Sequence, residues 1–251
     1  MAITRLPTIP REVLVEEDLE QARRAPGRLK KIEEQIATLE ASKVKISARY
    51  SDLPRGGQGR DLAEAWGGYL VGNTDRVIQH CISSPIQRCV DTAALMIRGA
   101  DGITLEPNTH HIEIIEQGLL VEPGSFVLDI KQAGPYFQKQ GALGFINSFV
   151  NNALPGMKHP IHGVVDVLEL IYNTHPTNQY GLSLAVSHDT ILAAIIAVIS
   201  GRNEVTQADW PDMMEGLFVW FEGDEFLESK LKWIWRGQIH TLDISQFRQK
   251  V

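Results

Sequence analysis

Residues 182–199 read LSLAVSHDTILAAIIAVI. The opening apolar run has the length of a strand, and Ile191–Ile199 is uncharged for the length of a short helix. Between them stand Ser187, His188, Asp189 and Thr190. These polar residues interrupt what would otherwise approach the roughly 18 apolar residues of a membrane span. The stretch therefore reads as a buried strand, a turn and a buried helix. A buried strand of this kind fits a largely parallel sheet.

Working outward, the same alternation continues. Upstream, Lys43–Ala48 (KVKISA) alternates as a strand, and Ser51–Gly59 is a Gly/Pro-rich loop. Arg60–Val71 reads as a helix, Val77–Ile82 as a strand, Gln87–Arg98 as a helix and Ile112–Ile115 as a short strand. From Gly118 to Pro160 the pattern loosens among Gly, Pro and Asn residues, as expected of a cap or insertion. His162–Thr174 reads as a helix. Downstream, Leu217–Glu222 and Lys230–Trp235 are aromatic-rich strands. Strands alternating with helices predict an α/β fold, a three-layer sandwich around a central, mostly parallel sheet spanning residues 43–251.

Residues 1–42 form a separate N-terminal extension. Within RLKKIEEQIATLEAS (Arg28–Ser42), Leu29, Ile32, Ile36 and Leu39 recur at spacings of three and four, predicting an amphipathic helix. It has too few heptads for a coiled coil. It suits either a helix packed on the domain or an arm for homo-oligomerisation.

Composition narrows the function. The chain has 251 residues, 43% hydrophobic and 22% charged, with a formal net charge of -7 and a pI near 5.6. Such a balance suits a folded domain and argues against broad contact with nucleic acid or an anionic membrane, both of which need facing positive charge. A small anionic partner remains compatible, because a pocket can be basic inside an acidic protein. Cys81 and Cys89 lack CxxC spacing and read as two reduced thiols. With no apolar leader near the N-terminus, a cytoplasmic setting is expected. No HExxH or H-x-H cluster points to a metal, and His110–His111 would face opposite sides of an extended chain. No cofactor is expected.

Ligand sites in open α/β sheets lie at the carboxyl ends of the strands. Three such ends carry polar residues that a core would not need: Arg49 to Arg55, then Ser83, Ser84 and Arg88, then His188 and Asp189. Arginine offers a planar fork of donors, and helix N-termini offer free N–H groups. Singly, each residue has an ordinary explanation as a surface pair, a solvated helix residue or a cap. Together they predict a phosphate or carboxylate site.

These segments also carry a resemblance. CISSPIQRCVDTAALMIRG (Cys81–Gly99) resembles the SSPxxRxxxTA segment of the histidine phosphatase superfamily. LAVSHDTILAAIIAVISG (Leu184–Gly201) resembles the HD segment of its acid-phosphatase and phytase branch. KISARYSDLP (Lys45–Pro54) falls where that branch carries RHGxRxP, and GRDLAEAWGGYL (Gly59–Leu70) is similar to the helix that follows. Met213–Asp224 and Lys230–Leu242 resemble its closing strands. The resemblance implies a phosphoglycerate-mutase-like fold from about residue 43 to 242. It implies Arg49 and Arg88 as phosphate clamps, His188 as the second histidine and Asp189 as the acid. Glu113, Glu116 and Glu122 lie where another branch takes its acid from a glutamate, and Glu116 is the expected one.

The chain departs from the pattern in one loop. Tyr50 occupies the position of the attacking histidine, Ser51 that of the glycine and Leu53 that of the second arginine, a charge that Arg55 is placed to supply. Imidazole titrates near pH 6.5 and is a ready nucleophile at neutrality, whereas a phenol near 10 is only about one part in a thousand ionised. The expectation is a diverged enzyme using acid–base chemistry on a small anion without a phosphohistidine. The alternatives are a binding module for phosphorylated ligands and an assembly protein.

Overall fold

The computed structural model describes residues 55–74, 76–103, 112–122, 124–176 and 180–248. The expected extension (1–42), the strand at 43–48, Arg49, Tyr50 and His110–His111 lie outside the described residues.

The sheet that positions the site is built from three short, largely apolar strands: β1 (Val77–Ser83), β2 (Ile114–Glu116) and β3 (Gly181–Val186). Their order is β2-β1-β3, and both pairings are parallel. Ser83 is in register with Glu116 on one side and Val186 on the other. One further hydrogen bond continues each ladder, from Gln117 N to Ser83 O and from Ser84 N to Val186 O, at 2.8 and 2.9 Å. All three chains therefore leave the sheet at one level.

Helices cover both faces. On one lie α1 (Arg55–Thr74) and α2 (Gln87–Asp101), whose Ala63, Trp66, Tyr69, Leu70, Leu95 and Met96 pack with Leu182, Leu184 and Val186 of β3. The alternate residues of one strand thus face one layer, as pleating requires. On the other face, Ile82 joins a larger core with α3 (Ile130–Val150), α4 (Pro160–Asn173) and α5 (Asp189–Ile199). Helix α5 is apolar nearly all round and buried from Thr190 to Ile199 with few breaks, as expected of a helix walled in on every side.

Helices α1 and α2 meet through glycine. A Cβ on Gly67 would fall 1.7 Å from the carbonyl oxygen of Met96, and one on Gly99 would fall 1.8 Å from that of Glu64. The two backbones touch directly. On the rim, Arg98 Nε donates to Glu64 at 3.0 Å and its Nη2 forms a second bond to the same carboxylate.

The tail forms its own antiparallel sheet, β4 (Phe218–Glu222), β5 (Lys230–Trp235) and β6 (Gln238–Asp243). A short helix, α6 (Ser245–Arg248), follows. Arg236 and Gly237 turn β5 into β6 with φ of 50° and 78°, the positive pair that suits a tight hairpin.

Three expectations change. The Gly/Pro loop predicted through Gly59 is already helical from Arg55, since Gly56 and Gly57 lower helix propensity by about 1 kcal/mol each without forbidding the helix. The loosened segment 118–160 contains the 21-residue α3, with Gly141 at φ 67° breaking it and Pro135 inside it. Those residues erase the helical period from the sequence. Phe145, Ile146 and Phe149 of α3 nevertheless join the main core. Strand β6 was not expected, because its alternation is almost wholly exposed. Among the described residues, no helix is long and apolar enough to cross a membrane.

Candidate functional site

The site forms where β1 and β3 end and α2 and α5 begin. His188 is the N-cap of α5 in extended conformation, and Arg88 lies in the first turn of α2. Both helices point their free N–H groups toward the strand ends. His188 is 7% exposed. Its Nε2 lies 3.0 Å from Ser84 Oγ, and its Nδ1 lies 2.9 Å from Arg88 Nη2.

A third chain reaches the same ring. After β2 the backbone makes a 3-10 turn, Gly118–Leu120, and Ser187 Oγ donates to Leu120 O at 2.8 Å. That bond draws the segment to the end of β3. Glu122 Oε2 then stands 3.5 Å from His188 Nδ1 and 3.7 Å from Arg88 Nη2.

The partners determine the state of the ring. A guanidinium has donors only, so Nδ1 facing Arg88 must accept. A neutral imidazole carries one proton, which therefore sits on Nε2 and is donated to Ser84 Oγ. Burial, followed by the positive charge of Arg88, lowers the pKa of His188 below its ordinary value, while Glu122 and Asp189 oppose the shift. Burial and Arg88 thus favour the neutral ring.

Asp189 directly follows His188, but its carboxylate is occupied. Oδ1 accepts from Thr190 N and Oδ2 from Trp210 Nε1, both at 2.9 Å. Arg236 fixes the segment that carries Trp210. Its guanidinium donates to Trp210 O at 2.9 Å, to Ala208 O, and in a fork to Glu215 at 2.8 and 2.9 Å.

Of the residues expected at the site, the structure brings together Arg88 and His188, with Asp189 alongside. Glu116 ends β2, is exposed and is in register with Ser83. The carboxylate that reaches His188 is Glu122. Arg55 opens α1, and its side chain, like Arg49 and Tyr50, lies outside the described residues. Sequence reasoning missed Trp210, because nothing local links it to a carboxylate 21 positions earlier. Ser84 stood out as polar, but its bond to His188 spans 104 residues. Among the described residues, no group of three or more His, Cys, Asp or Glu side chains is arranged to hold a metal. A cleft of about 570 Å³ opens elsewhere, along α3 between Val127 and Phe145, and is lined by none of Ser84, Arg88, Glu122 or His188.

Both cysteines are buried and free. Cys81 lies within β1, its thiol pushed up to about 12 by burial. Cys89 Sγ lies 3.7 Å from Ser187 O and 3.8 Å from His188 Nε2, and burial raises its pKa too. Since the thiolate is the reactive form, both should react with a disulfide reagent at least about a hundredfold more slowly in the native protein than in denaturant. Rapid labelling of Cys89 in the native state would show that this side of His188 is open.

No family model and no curated protein matches the chain. Solved structures do. Mycobacterial hydrolase 1 aligns over 72% of this chain and 86% of its own, with 18% identity and a TM-score of 0.42. A phosphoglycerate mutase from Bacillus anthracis str. Sterne aligns over 80% of this chain and 86% of its own, with 13% identity and a TM-score of 0.40.

Proposed function

We propose that this chain is a histidine-phosphatase-like protein that binds the oxyanion of a small phosphorylated or carboxylated molecule and acts on it by acid–base chemistry, without a phosphohistidine. The observation that carries the reading is the ring of His188, held by Ser84 and Arg88 with the Glu122 carboxylate 3.5 Å from its Nδ1. Arg88, exposed over 71% of its side chain, presents donors to solvent and is the core of the clamp, to which Arg49 and Arg55 add charge. Glu122, in preference to Glu116, exchanges the proton with the substrate. Asp189, the acid implied by the resemblance, keeps a lesser role here because Trp210 Nε1 and Thr190 N donate to its carboxylate. Tyr50 replaces the attacking histidine. Glu122, in the segment after β2, borders the site, and the 1–42 extension, whose Arg28–Ser42 stretch has the pattern of an amphipathic helix, is suited to self-association.

Calorimetric titration with orthophosphate and vanadate tests the clamp. Arg88→Ala removes a charge-assisted hydrogen bond of about 1.5–3 kcal/mol, so affinity should fall roughly tenfold to a hundredfold. Unchanged affinity would sink the reading. Against a panel of phosphorylated and carboxylated metabolites, Glu122→Gln should lower turnover by about 10²–10⁴ if it is the proton donor.

The second reading, a binding module without turnover, is favoured by Tyr50 itself. It predicts tight binding with no product from any member of that panel. Phosphatase activity gained in Tyr50→His would show a frame that lacks only its nucleophile.

A further inference from the structure

We propose that Ser84 and Arg88 together set His188 so that Nδ1 is the proton-accepting atom of the site, and that an oxyanion taking the Arg88 guanidinium is bound together with one proton at that atom. The proposal rests on the anion-site reading above and adds the proton linkage and the positioning role of Ser84.

Ser84 is fully buried. Its Oγ lies 3.0 Å from His188 Nε2 and accepts from Ile86 N at 3.4 Å. Ile86 N leaves Oγ a lone pair for an Nε2 proton, and Arg88, which can only donate, fixes Nδ1 as the acceptor facing it and Glu122. Nδ1 is unprotonated because Arg88 Nη2 donates to it at 2.9 Å. Arg88 is also the donor that an oxyanion would take. When it is taken, Nδ1 loses its donor and faces the Glu122 carboxylate at 3.5 Å and an anion oxygen. Two negative acceptors around a lone pair favour protonation. The proton is taken from solvent to form Nδ1–H, Nε2–H stays on Ser84, and no bond between heavy atoms forms or breaks.

Among the described residues, the titratable groups facing the ring come from three elements. Helix α2 supplies Arg88 and Cys89, the segment after β2 supplies Glu122, and α5 supplies Asp189. Of these, Arg88 opposes the added proton, whereas Glu122 and Asp189 favour it. An anion that screens Arg88 weakens that opposition. Cys89 stays an uncharged thiol, since burial raises its pKa.

The sign follows from linkage. A site that binds a proton with its ligand loses affinity as pH rises, by up to about tenfold per pH unit while the free ring is neutral and the bound ring charged. Sulfate is the probe, because it remains a dianion across the range. Calorimetry in two buffers of different ionisation enthalpy, at about pH 7 to 8.5, should report uptake of close to one proton per sulfate and a correspondingly steep loss of affinity. His188→Gln should bind sulfate with no uptake and little pH dependence. In ¹⁵N-histidine spectra, free His188 should be the Nε2–H tautomer, becoming doubly protonated on adding sulfate. Ser84→Ala should mix the two neutral tautomers. Sulfate binding that depends on Arg88 but takes up no proton would overturn the linkage and leave the anion site standing. No sulfate binding, or binding indifferent to Arg88→Ala, would overturn both. An Nδ1–H tautomer in the free protein would overturn the role given to Ser84 whatever the binding.

Discussion

Gly67→Ala should destabilise the protein by at least about 3 kcal/mol, above the usual range for overpacking because the obstacle is backbone. The new methyl would lie 1.7 Å from Met96 O, and no rotamer change can relieve that. Alanine is the better helix former by about 1 kcal/mol, so propensity alone predicts the opposite sign. The contact wins because α1 and α2 must separate to admit the methyl. Separation uncovers Trp66, Tyr69 and Leu70 from Leu95 and Met96, and tilts the first turn of α2, where Arg88 sits. The urea midpoint should fall by roughly 1–3 M. Gly59→Ala is the control, since a Cβ there meets nothing within 4 Å, and it should stabilise by about 0.5–1 kcal/mol. Equal stability of Gly67→Ala and the parent would mean that the two helices do not touch at this point.

Phe149→Ala should cost about 3–5 kcal/mol, the range for deleting a buried phenyl ring. Phe149 is 1% exposed and stacks on Phe126 with centroids 4.6 Å apart and planes 18° from parallel. Phe126 is itself pressed on Gly163 of α4, where a Cβ would come within 2.6 Å of its ring. The neighbours on that side cannot collapse freely into the space left behind. The result also bears on the 118–160 segment. If α3 were a loosely laid cover, truncating Phe149 would cost less than about 1 kcal/mol and leave the midpoint of the main transition in place. A cost of several kcal/mol, in a single transition, makes α3 part of the foundation of the sheet.

The readable parts of this chain were those whose pattern is local. Strands β1 and β3 show as short, largely apolar segments, and α5 shows because no charge interrupts it after Asp189. Arg88 and His188 were legible for the same reason, since each stands in the turn or first helical turn that follows a recognisable strand. Helix α3 was hidden because Gly134, Pro135, Gly141 and Gly144 break its period, and tertiary burial of Phe145 and Phe149 supplies what propensity does not. Strand β6 was hidden because its side chains face mostly outward. Glu122 was harder to choose than Glu116. The choice depends on a 3-10 turn and on the Ser187–Leu120 bond, which joins residues 67 apart. The Trp210–Asp189 contact depends on a loop whose shape Arg236 sets from β5's far end. Neither has a periodic signal.

The pairing of β1 with β3 has a consequence for how the molecule comes together. Ser84 and Arg88 belong to one half of the chain and His188 to the other, 104 and 100 residues away. Closing so long a loop is entropically costly and must precede any reward from the strand contacts. The hydrogen bonds around His188 can therefore form only after the long-range pairing is made, and a folding intermediate with α1, β1 and α2 in place would still lack the imidazole. An anion that binds only the finished arrangement stabilises it by mass action. Ligand added during refolding should slow the unfolding limb and leave the folding limb nearly unchanged.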